Sequence, residues 1–240
     1  MLMPIAIVSE KISEAQSAAL KREGFAVLPC PPLRRIGAPI AHHPDMLIAV
    51  IEGALFCCEE YFKENGVFFS VLASLCPNLQ VIPLPDAPDA LYPKDCAYNL
   101  LPMGKRIFFN PQGIAPSLAR VLAEKGMISC HTRQGYAACT VRAMGEGHAI
   151  TADRGMAKIL AQEGISVLLI REGGIALPPY AHGFIGGASG CFGNAVYFSG
   201  KIEAHPDYVA IRQFANEAGF RMISLSEEPL CDIGGILFIE

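Results

Sequence analysis

Three aspartates and one cysteine carry the clearest chemical signal in this sequence. Asp45, Asp95 and Asp232 each stand just before a short apolar run. Cys139 occupies the corresponding place before another such run. Carboxylates that converge on one point can pair with a guanidinium or ammonium group in a site that holds little water. The alternative is that each aspartate caps a turn or accepts backbone N–H groups where a strand begins.

Cys139 is the preferred nucleophile among the nine cysteines. Cys96 and Cys231 flank aspartates, which raise a thiol pKa and so disfavour the reactive thiolate. Most other cysteines fit the role of small buried apolar side chains, and Cys139 can equally be a small residue in a channel wall. The sequence contains no CxxC pair, so a zinc knuckle has little support. No metal or organic cofactor is implied by the predicted chemistry.

His43 is the preferred proton carrier, and Asp95 joins it and Cys139 in the predicted catalytic set. His43 precedes Pro44, so its backbone is expected to be extended and its ring to face the centre of the fold. His131 and His182 are alternative bases, although a histidine at either place is often a satisfied core or surface residue.

Further polar residues on or beside the same apolar runs are predicted to bind a ligand. They can contact a carboxylate or amide, or they can line a polar, water-filled channel. The stretch 186–190 is rich in glycine, and tight packing explains it better than a nucleotide site because GxGxxG spacing is absent. The predicted substrate-binding residues are Asp45, Lys94, Asn99, Gln134, Tyr136, Arg142, Ser189 and Asp232.

A repeated unit of strand, turn, strand, helix and strand positions these residues. Its cleanest copy predicts strands over 139–144 and 148–151, followed by a helix that Asp153 caps. Gly164 ends that helix, and a buried strand over 165–170 completes the unit.

The unit occurs five times, and four of its helices end on a glycine that leads into a strand. First strands are predicted to start near Asp45, Asp95, Cys139 and Gly187. The N-terminal unit has no first strand of its own, while the segment 231–239 is a strand without a helix after it. We therefore predict one α/β domain over residues 1–240, a five-bladed α/β propeller of ββαβ repeats. The C-terminal strand pairs with the N-terminal unit and closes the ring.

Three long connections, at 29–44, 83–93 and 173–183, are rich in proline and glycine. Such segments are ordered loops, and loops at one end of a ring overlie its centre. A small-molecule ligand is therefore expected to be gripped there.

Charge and hydropathy exclude several function classes. The net charge is −4 and no Lys/Arg run occurs, so neither nucleic acid nor an anionic membrane is an expected partner. No apolar run reaches the roughly 18 residues that a membrane span requires. The N-terminus lacks the features of a signal peptide, so a cytoplasmic location is expected. The oligomeric state stays open, with a homodimer as one alternative.

The five-unit ring resembles the pentein fold of arginine deiminase, agmatine deiminase, dimethylarginine dimethylaminohydrolase and the amidinotransferases. A non-enzymatic ribosome anti-association factor shares that fold. Several local stretches also resemble an uncharacterised bacterial family placed near those enzymes. These stretches are His43-Pro44-Asp45, Tyr92-Pro93-Lys94-Asp95, Gln134-Gly135-Tyr136, Phe184-Ile185-Gly186-Gly187-Ala188-Ser189-Gly190 and Asp232-Ile233-Gly234-Gly235.

The resemblance implies a cysteine nucleophile, a histidine and acidic residues around a central channel. In the pentein enzymes the cysteine normally follows a glycine-rich turn in the last unit, whereas here Ile236 follows Gly234 and Gly235. Either another cysteine does the chemistry, or none does. The leading hypothesis is a cysteine-dependent hydrolase or transferase that acts on a small guanidino or amino-acid-like compound. The alternative is a non-catalytic member of the fold that binds a small molecule or a protein, and a ribosome-associated factor is disfavoured by the acidic charge.

Overall fold

The fold is built from five small sheets of three strands each. The computed structural model describes residues 3–240. In every sheet the first strand runs antiparallel to the second, and the second runs parallel to the third. Helices connect the second strand with the third, so the predicted ββαβ order is confirmed.

The strands are short, between three and five residues. In chain order they are β1 Ile5–Ser9, β2 Ala26–Cys30, β3 Ala49–Ile51, β4 Ala54–Cys58, β5 Gln80–Leu84, β6 Leu101–Met103, β7 Arg106–Phe109, β8 Ile128–His131, β9 Val141–Met144, β10 His148–Thr151, β11 Ser166–Leu169, β12 Ser189–Phe192, β13 Ala195–Phe198, β14 Arg221–Ser224 and β15 Leu237–Ile239. The helices are α1 Glu14–Arg22, α2 Pro44–Leu47, α3 Glu59–Glu64, α4 Gly66–Leu75, α5 Pro116–Glu124, α6 Ala137–Thr140, α7 Arg154–Gln162 and α8 Tyr208–Glu217, with 3₁₀ turns at Lys94–Cys96 and Ile202–Ala204.

The two ends of the chain close the ring. Strand β15 pairs antiparallel with β1, with Ile239 opposite Ile5 and Leu237 opposite Ile7. The first strands of the five sheets, β15, β3, β6, β9 and β12, all contribute to the wall of one central cavity of about 370 Å³. The protein is therefore a five-bladed α/β propeller, as the sequence predicts.

Apolar burial in the second strand of each sheet holds the blades together. All residues of β1, β4 and β13 are buried. Phe56, Phe108 and Phe198 lie in three of these second strands and are fully buried. Burying a phenylalanine side chain contributes about 1.5 to 3 kcal/mol, so each of these three residues helps to hold its blade together.

Local sequence signals set the helix ends. The Asp153 carboxylate accepts the Met156 N–H and caps α7, as predicted. Gly164 follows that helix with φ of +79°, a left-handed conformation that glycine adopts without strain. Glycines 24, 126 and 219 have positive φ at the matching places after α1, α5 and α8. Local sequence signals thus determine the repeated order of helix, glycine and strand.

The predicted starts of the first strands are wrong by a few residues. A single helical turn precedes three of them: α2 before β3, the 3₁₀ turn before β6 and α6 before β9. In α6, the Thr140 N–H and hydroxyl both donate to the Tyr136 carbonyl, a local bond that competes with strand formation. Asp45, Asp95 and Cys139 consequently lie on turns above the strands and not within them.

Within residues 3–240, no helix combines the length and apolar character that crossing a membrane requires. The same part of the chain contains no group of three His, Cys, Asp or Glu residues that could hold a metal ion.

Candidate functional site

The Cys139 thiol lies against Asp45 at the centre of the ring. Its Sγ–H donates to Asp45 Oδ2 at 3.0 Å. Asn99 Nδ2 donates to Cys139 Sγ at 3.1 Å and to the Asp45 main-chain oxygen at 3.0 Å. Asn99 Oδ1 accepts the Ala138 N–H at 2.8 Å. Hydrogen bonds therefore join groups from three successive blades, which is the convergence that the spacing of Asp45 and Cys139 predicts.

Burial dominates the electrostatics of this pair. Asp45 is 4% exposed, and the Oδ1 atom of its carboxyl has no hydrogen-bond partner within residues 3–240. Burial, with a further contribution from the Asp232 carboxylate, raises the pKa of Asp45 to about 7. Burial, followed by the charge of Asp45, raises the pKa of the Cys139 thiol well above its ordinary value. Near neutral pH the thiol keeps its proton, and the carboxyl is poised between its two protonation states.

His43 and Asp232 form a second buried pair. His43 Nδ1 lies 3.7 Å from Asp232 Oδ1, and the two side chains are 4% and 1% exposed. Two main-chain N–H groups fix the aspartate: Phe184 donates to Oδ2 at 2.9 Å and Gly234 donates to Oδ1 at 3.0 Å. Burial lowers the pKa of His43 to about 3 and raises that of Asp232 to about 6. At neutral pH a neutral imidazole therefore faces a largely ionised carboxylate.

Glycines allow these segments to approach one another. A Cβ atom on Gly187 would overlap Asp232 Oδ1, and one on Gly186 would overlap the Ala138 carbonyl oxygen. The Gly187 N–H donates to the Cys139 carbonyl at 2.9 Å. Tight packing thus accounts for Gly186 and Gly187, because a Cβ atom on either would collide with the segments that carry Cys139 and Asp232.

A cavity of about 170 Å³, which we call the thiol cavity, lies beside both pairs. Its wall consists of Ile40, His43, Met46, Tyr136, Cys139, Leu177, Tyr180, His182, Phe184 and Asp232. On the other side, the central cavity of about 370 Å³, which we call the strand-side cavity, is lined by Asp45 and Arg142 among others. Because Cys139 lines one cavity and its partner Asp45 lines the other, the pair lies between them.

Comparison with known proteins assigns the chain to a family. Residues 7–237 match the family model of DUF6873, described as a family of unknown function. The chain belongs to the DUF6873 family. No curated protein matches it.

Solved structures show that this DUF6873 chain has the pentein fold. Dimethylarginine dimethylaminohydrolase from Pseudomonas aeruginosa, in a complex with citrulline, is similar with a TM-score of 0.57 at 12% identity, covering 100% of this chain and 99% of that one. Agmatine deiminase from C. jejuni has a TM-score of 0.55 at 8% identity, with coverages of 98% and 92%. Inosamine-phosphate amidinotransferase from Streptomyces griseus has a TM-score of 0.56 at 11% identity, with coverages of 98% and 91%.

Most of the other predicted site residues of the DUF6873 chain fall into two groups. The residues of the first group hold the Tyr136 side chain in place through hydrogen bonds. The Tyr136 hydroxyl donates to Asp95 Oδ2 at 2.7 Å, and the Cys96 thiol donates to Asp95 Oδ1 at 3.2 Å. Gln134 accepts the Tyr136 N–H at 3.1 Å and donates to Asp153 at 2.9 Å. Asp95 and Gln134 do not line the thiol cavity, so they act on the cavity only by orienting the Tyr136 side chain. Lys94 is exposed and lies outside the cavity wall.

The second group lies on the strand side. Arg142 Nε donates to Ser189 Oγ at 2.8 Å, and its Nη2 donates to the carbonyls of Gly186 and Ser189, both at 2.7 Å. These bonds tie β9 to the start of β12. The prediction that Arg142 and Ser189 bind a ligand therefore concerns the strand-side cavity and not the thiol cavity.

The apolar roof of the thiol cavity was not predicted residue by residue. Ile40 comes from the loop 29–44, and Leu177 and Tyr180 come from the loop 173–183. Both loops were predicted to overlie the centre from their proline and glycine content. Single apolar residues in a loop carry no chemical signal of their own, so only the loops were identifiable from sequence.

Proposed function

We propose that this protein is a hydrolase that acts on a small cationic guanidine, with Cys139 as the nucleophile. The observation that carries the proposal is the 3.0 Å contact between Cys139 Sγ and Asp45 Oδ2 beside a cavity that His43 and Asp232 also line. The pentein fold supports it, because two of the similar structures belong to enzymes named for dimethylarginine and agmatine, both guanidino compounds.

A guanidinium in the thiol cavity meets negative charge from two sides. Asp232 lies in the cavity wall, and Asp45 lies behind the thiol with one oxygen free of partners within residues 3–240. A bound cation lowers the pKa of every acid near it. Binding therefore favours the ionised form of Asp45, which then accepts the Cys139 proton. Substrate binding itself activates the thiol.

The reaction then follows from these groups in two stages. Cys139 Sγ gives its proton to Asp45 and attacks the guanidinium carbon, forming a C–S bond. The C–N bond to the leaving amine breaks as its nitrogen takes up a proton from solvent in the thiol cavity, because Asp45 lies behind the thiol and keeps the proton that it received. A positively charged S-linked intermediate remains. Neutral His43 takes a proton from water as the water attacks the same carbon. The C–S bond breaks and Sγ recovers its proton from Asp45. His43 and the O-protonated product release their protons to solvent and to the departed amine, so the products are a urea-type compound and an ammonium ion.

Binding without chemistry is the second candidate, and one observation favours it. Burial and the charge of Asp45 both raise the pKa of the Cys139 thiol, so the free protein holds an unreactive thiol. If a bound cation does not offset this shift, the cavity binds its ligand and no reaction follows.

Turnover assays separate the two candidates. Wild-type protein incubated with arginine, agmatine and methylguanidine is expected to release ammonium and the matching ureido compound from at least one of them. Cys139→Ser should reduce turnover by about a thousandfold or more. Cys191→Ser is the matched control, because Cys191 lines the strand-side cavity and should leave turnover unchanged. Undiminished activity in Cys139→Ser would refute the proposal, and binding without turnover in the wild type would support the second candidate.

A further inference from the structure

The thiol cavity has an acidic and aromatic wall. Its charged or titratable groups are Asp232, Cys139, Tyr136, Tyr180 and two histidines, and within residues 3–240 no lysine or arginine lines it. Burial keeps one of those histidines, His43, in its neutral form, with a pKa of about 3. The cavity therefore offers a cation the Asp232 carboxylate, whereas the described residues of its wall offer an anion no lysine or arginine, and its second histidine, His182, already lies 4.0 Å from the Glu172 carboxylate.

Three arginines near the thiol cavity lie outside its wall. Arg142 is tied to main-chain oxygens on the strand side. Arg154 and Arg171 line a neighbouring cavity of about 370 Å³, which shares His182 and Phe184 with the thiol cavity. Arg171 is held by Asp207 at 2.8 Å. His182 and Phe184 thus form a common wall between the thiol cavity and the two arginines.

Negative charge extends along the same wall. His182 Nε2 lies 4.0 Å from the Glu172 carboxylate, which is exposed near the cavity. A ligand carboxylate in the thiol cavity would face Asp232 in the wall, while Glu172, in the neighbouring cavity beyond His182, adds negative charge nearby. Burying a carboxylate without a cationic partner is strongly unfavourable, and like charges add to that penalty.

The remaining wall suits an apolar chain attached to a cation. Aromatic rings follow one another around it, with centroids 6.4 Å apart for Tyr136 and Phe184 and 6.2 Å apart for His182 and Phe184. Leu177 and Tyr180 add further apolar and aromatic surface to the wall from the loop 173–183. Ring faces attract cations, and the aliphatic side chains pack against methylene groups.

We propose that the thiol cavity takes an alkyl cation without a carboxylate, of the alkylguanidine class, and rejects guanidino amino acids. The inference depends on the proposed function only in taking the thiol cavity as the substrate site. The carboxylate is excluded because, within residues 3–240, the wall holds no lysine or arginine to pair with it and does hold Asp232, whereas the guanidinium and its alkyl chain each find a partner.

Three ligands isolate the effect of the carboxylate. Arginine, argininamide and agmatine share one guanidinopropyl chain, but only arginine carries a carboxylate. Binding is measured by calorimetry on Cys139→Ser protein, so that no turnover disturbs it. Agmatine and argininamide are expected to bind at least about tenfold more tightly than arginine. Arginine binding equal to or tighter than argininamide binding would overturn the inference, as would the absence of binding by all three ligands.

Parallel turnover in the wild type keeps this inference separate from the proposed function. If agmatine binds tightly and is not converted, the inference stands and the hydrolase proposal fails. If arginine is converted faster than agmatine, the hydrolase proposal stands and the inference fails.

An arginine introduced at the cavity tests whether arginine is rejected because its carboxylate lacks a cationic partner. Tyr180 is 53% exposed at the cavity mouth, so Tyr180→Arg adds a positive charge without disturbing the core. We expect it to improve arginine binding relative to argininamide by about tenfold over the matched control Tyr180→Gln. An equal ratio of arginine affinity to argininamide affinity in the two variants would overturn the inference. Arg154→Gln should leave arginine binding unchanged, and weaker arginine binding would overturn the inference by placing the carboxylate in the neighbouring cavity.

Discussion

Replacing Asp45 with asparagine should stabilise the protein, and more strongly as the pH rises. Burial raises the pKa of this carboxyl from 3.8 to about 7, which is the reverse of the usual shift for an aspartate. Between those two values the folded protein holds a proton that the unfolded chain has lost. Stability therefore falls as pH rises through this window, because ionising the carboxyl costs free energy only in the folded state.

The magnitude follows from the pKa difference. Each pKa unit corresponds to about 1.4 kcal/mol. Ionisation of the buried Asp45 carboxyl therefore lowers the free energy of unfolding by about 4 kcal/mol in total once the pH is above 7. The part of that loss between pH 5 and pH 8 is about 2 to 3 kcal/mol. The asparagine side chain of the Asp45→Asn variant does not titrate, so that variant should not show the loss. His43 and Asp232 also titrate, with pKa values near 3 and 6, but they are present in both proteins and largely cancel in the comparison.

Urea denaturation at pH 5 and pH 8 provides the measurement. Urea is preferred to guanidinium, which is itself a candidate ligand of the thiol cavity. The stability gained by Asp45→Asn relative to wild type should grow by about 2 to 3 kcal/mol from pH 5 to pH 8. Glu64→Gln, at an exposed position, is the matched control and should show no such growth. Equal gains at both pH values would mean that Asp45 ionises normally in the fold, and the reasoning about its burial would be refuted.

Three further predictions concern the same region. The affinity of Cys139→Ser protein for agmatine should rise about tenfold or more from pH 5.5 to pH 8 in calorimetry, because Asp45 and Asp232 ionise over that range; a pH-independent affinity would contradict a role for them. Asn99→Ala should lower the free energy of unfolding in urea by about 2 kcal/mol, because it leaves buried hydrogen-bonding groups unpaired; no change would contradict the observed bonds. Gly187→Ala should cost about 1 to 3 kcal/mol by the same measurement, because its Cβ would overlap an Asp232 oxygen, while Gly147→Ala, with open space around it, should change stability little.

Local sequence determined the repeat and the closure of the fold. Apolar runs, the Asp153 cap and glycines such as Gly164 act over a few residues, so each can be recognised without knowledge of the rest of the chain. The unmatched strand at the C-terminus and the missing first strand at the N-terminus together predicted the pairing of β15 with β1. The shared positions of Asp45 and Cys139 within their units predicted that they would meet, because equivalent positions in a closed ring face one centre.

Only the tertiary structure decided what these residues do to one another. Asp45 and Cys139 are 94 positions apart, and their 3.0 Å contact depends on the single helical turns that precede β3 and β9. The structure also separates Asp95, which orients Tyr136, from Arg142, which faces the opposite cavity. The pKa of each group depends on how deeply the packed blades bury it. The charge of each cavity wall depends on which side chains from the different blades line it. The sequence shows which residues are present, but only the packed ring brings them together.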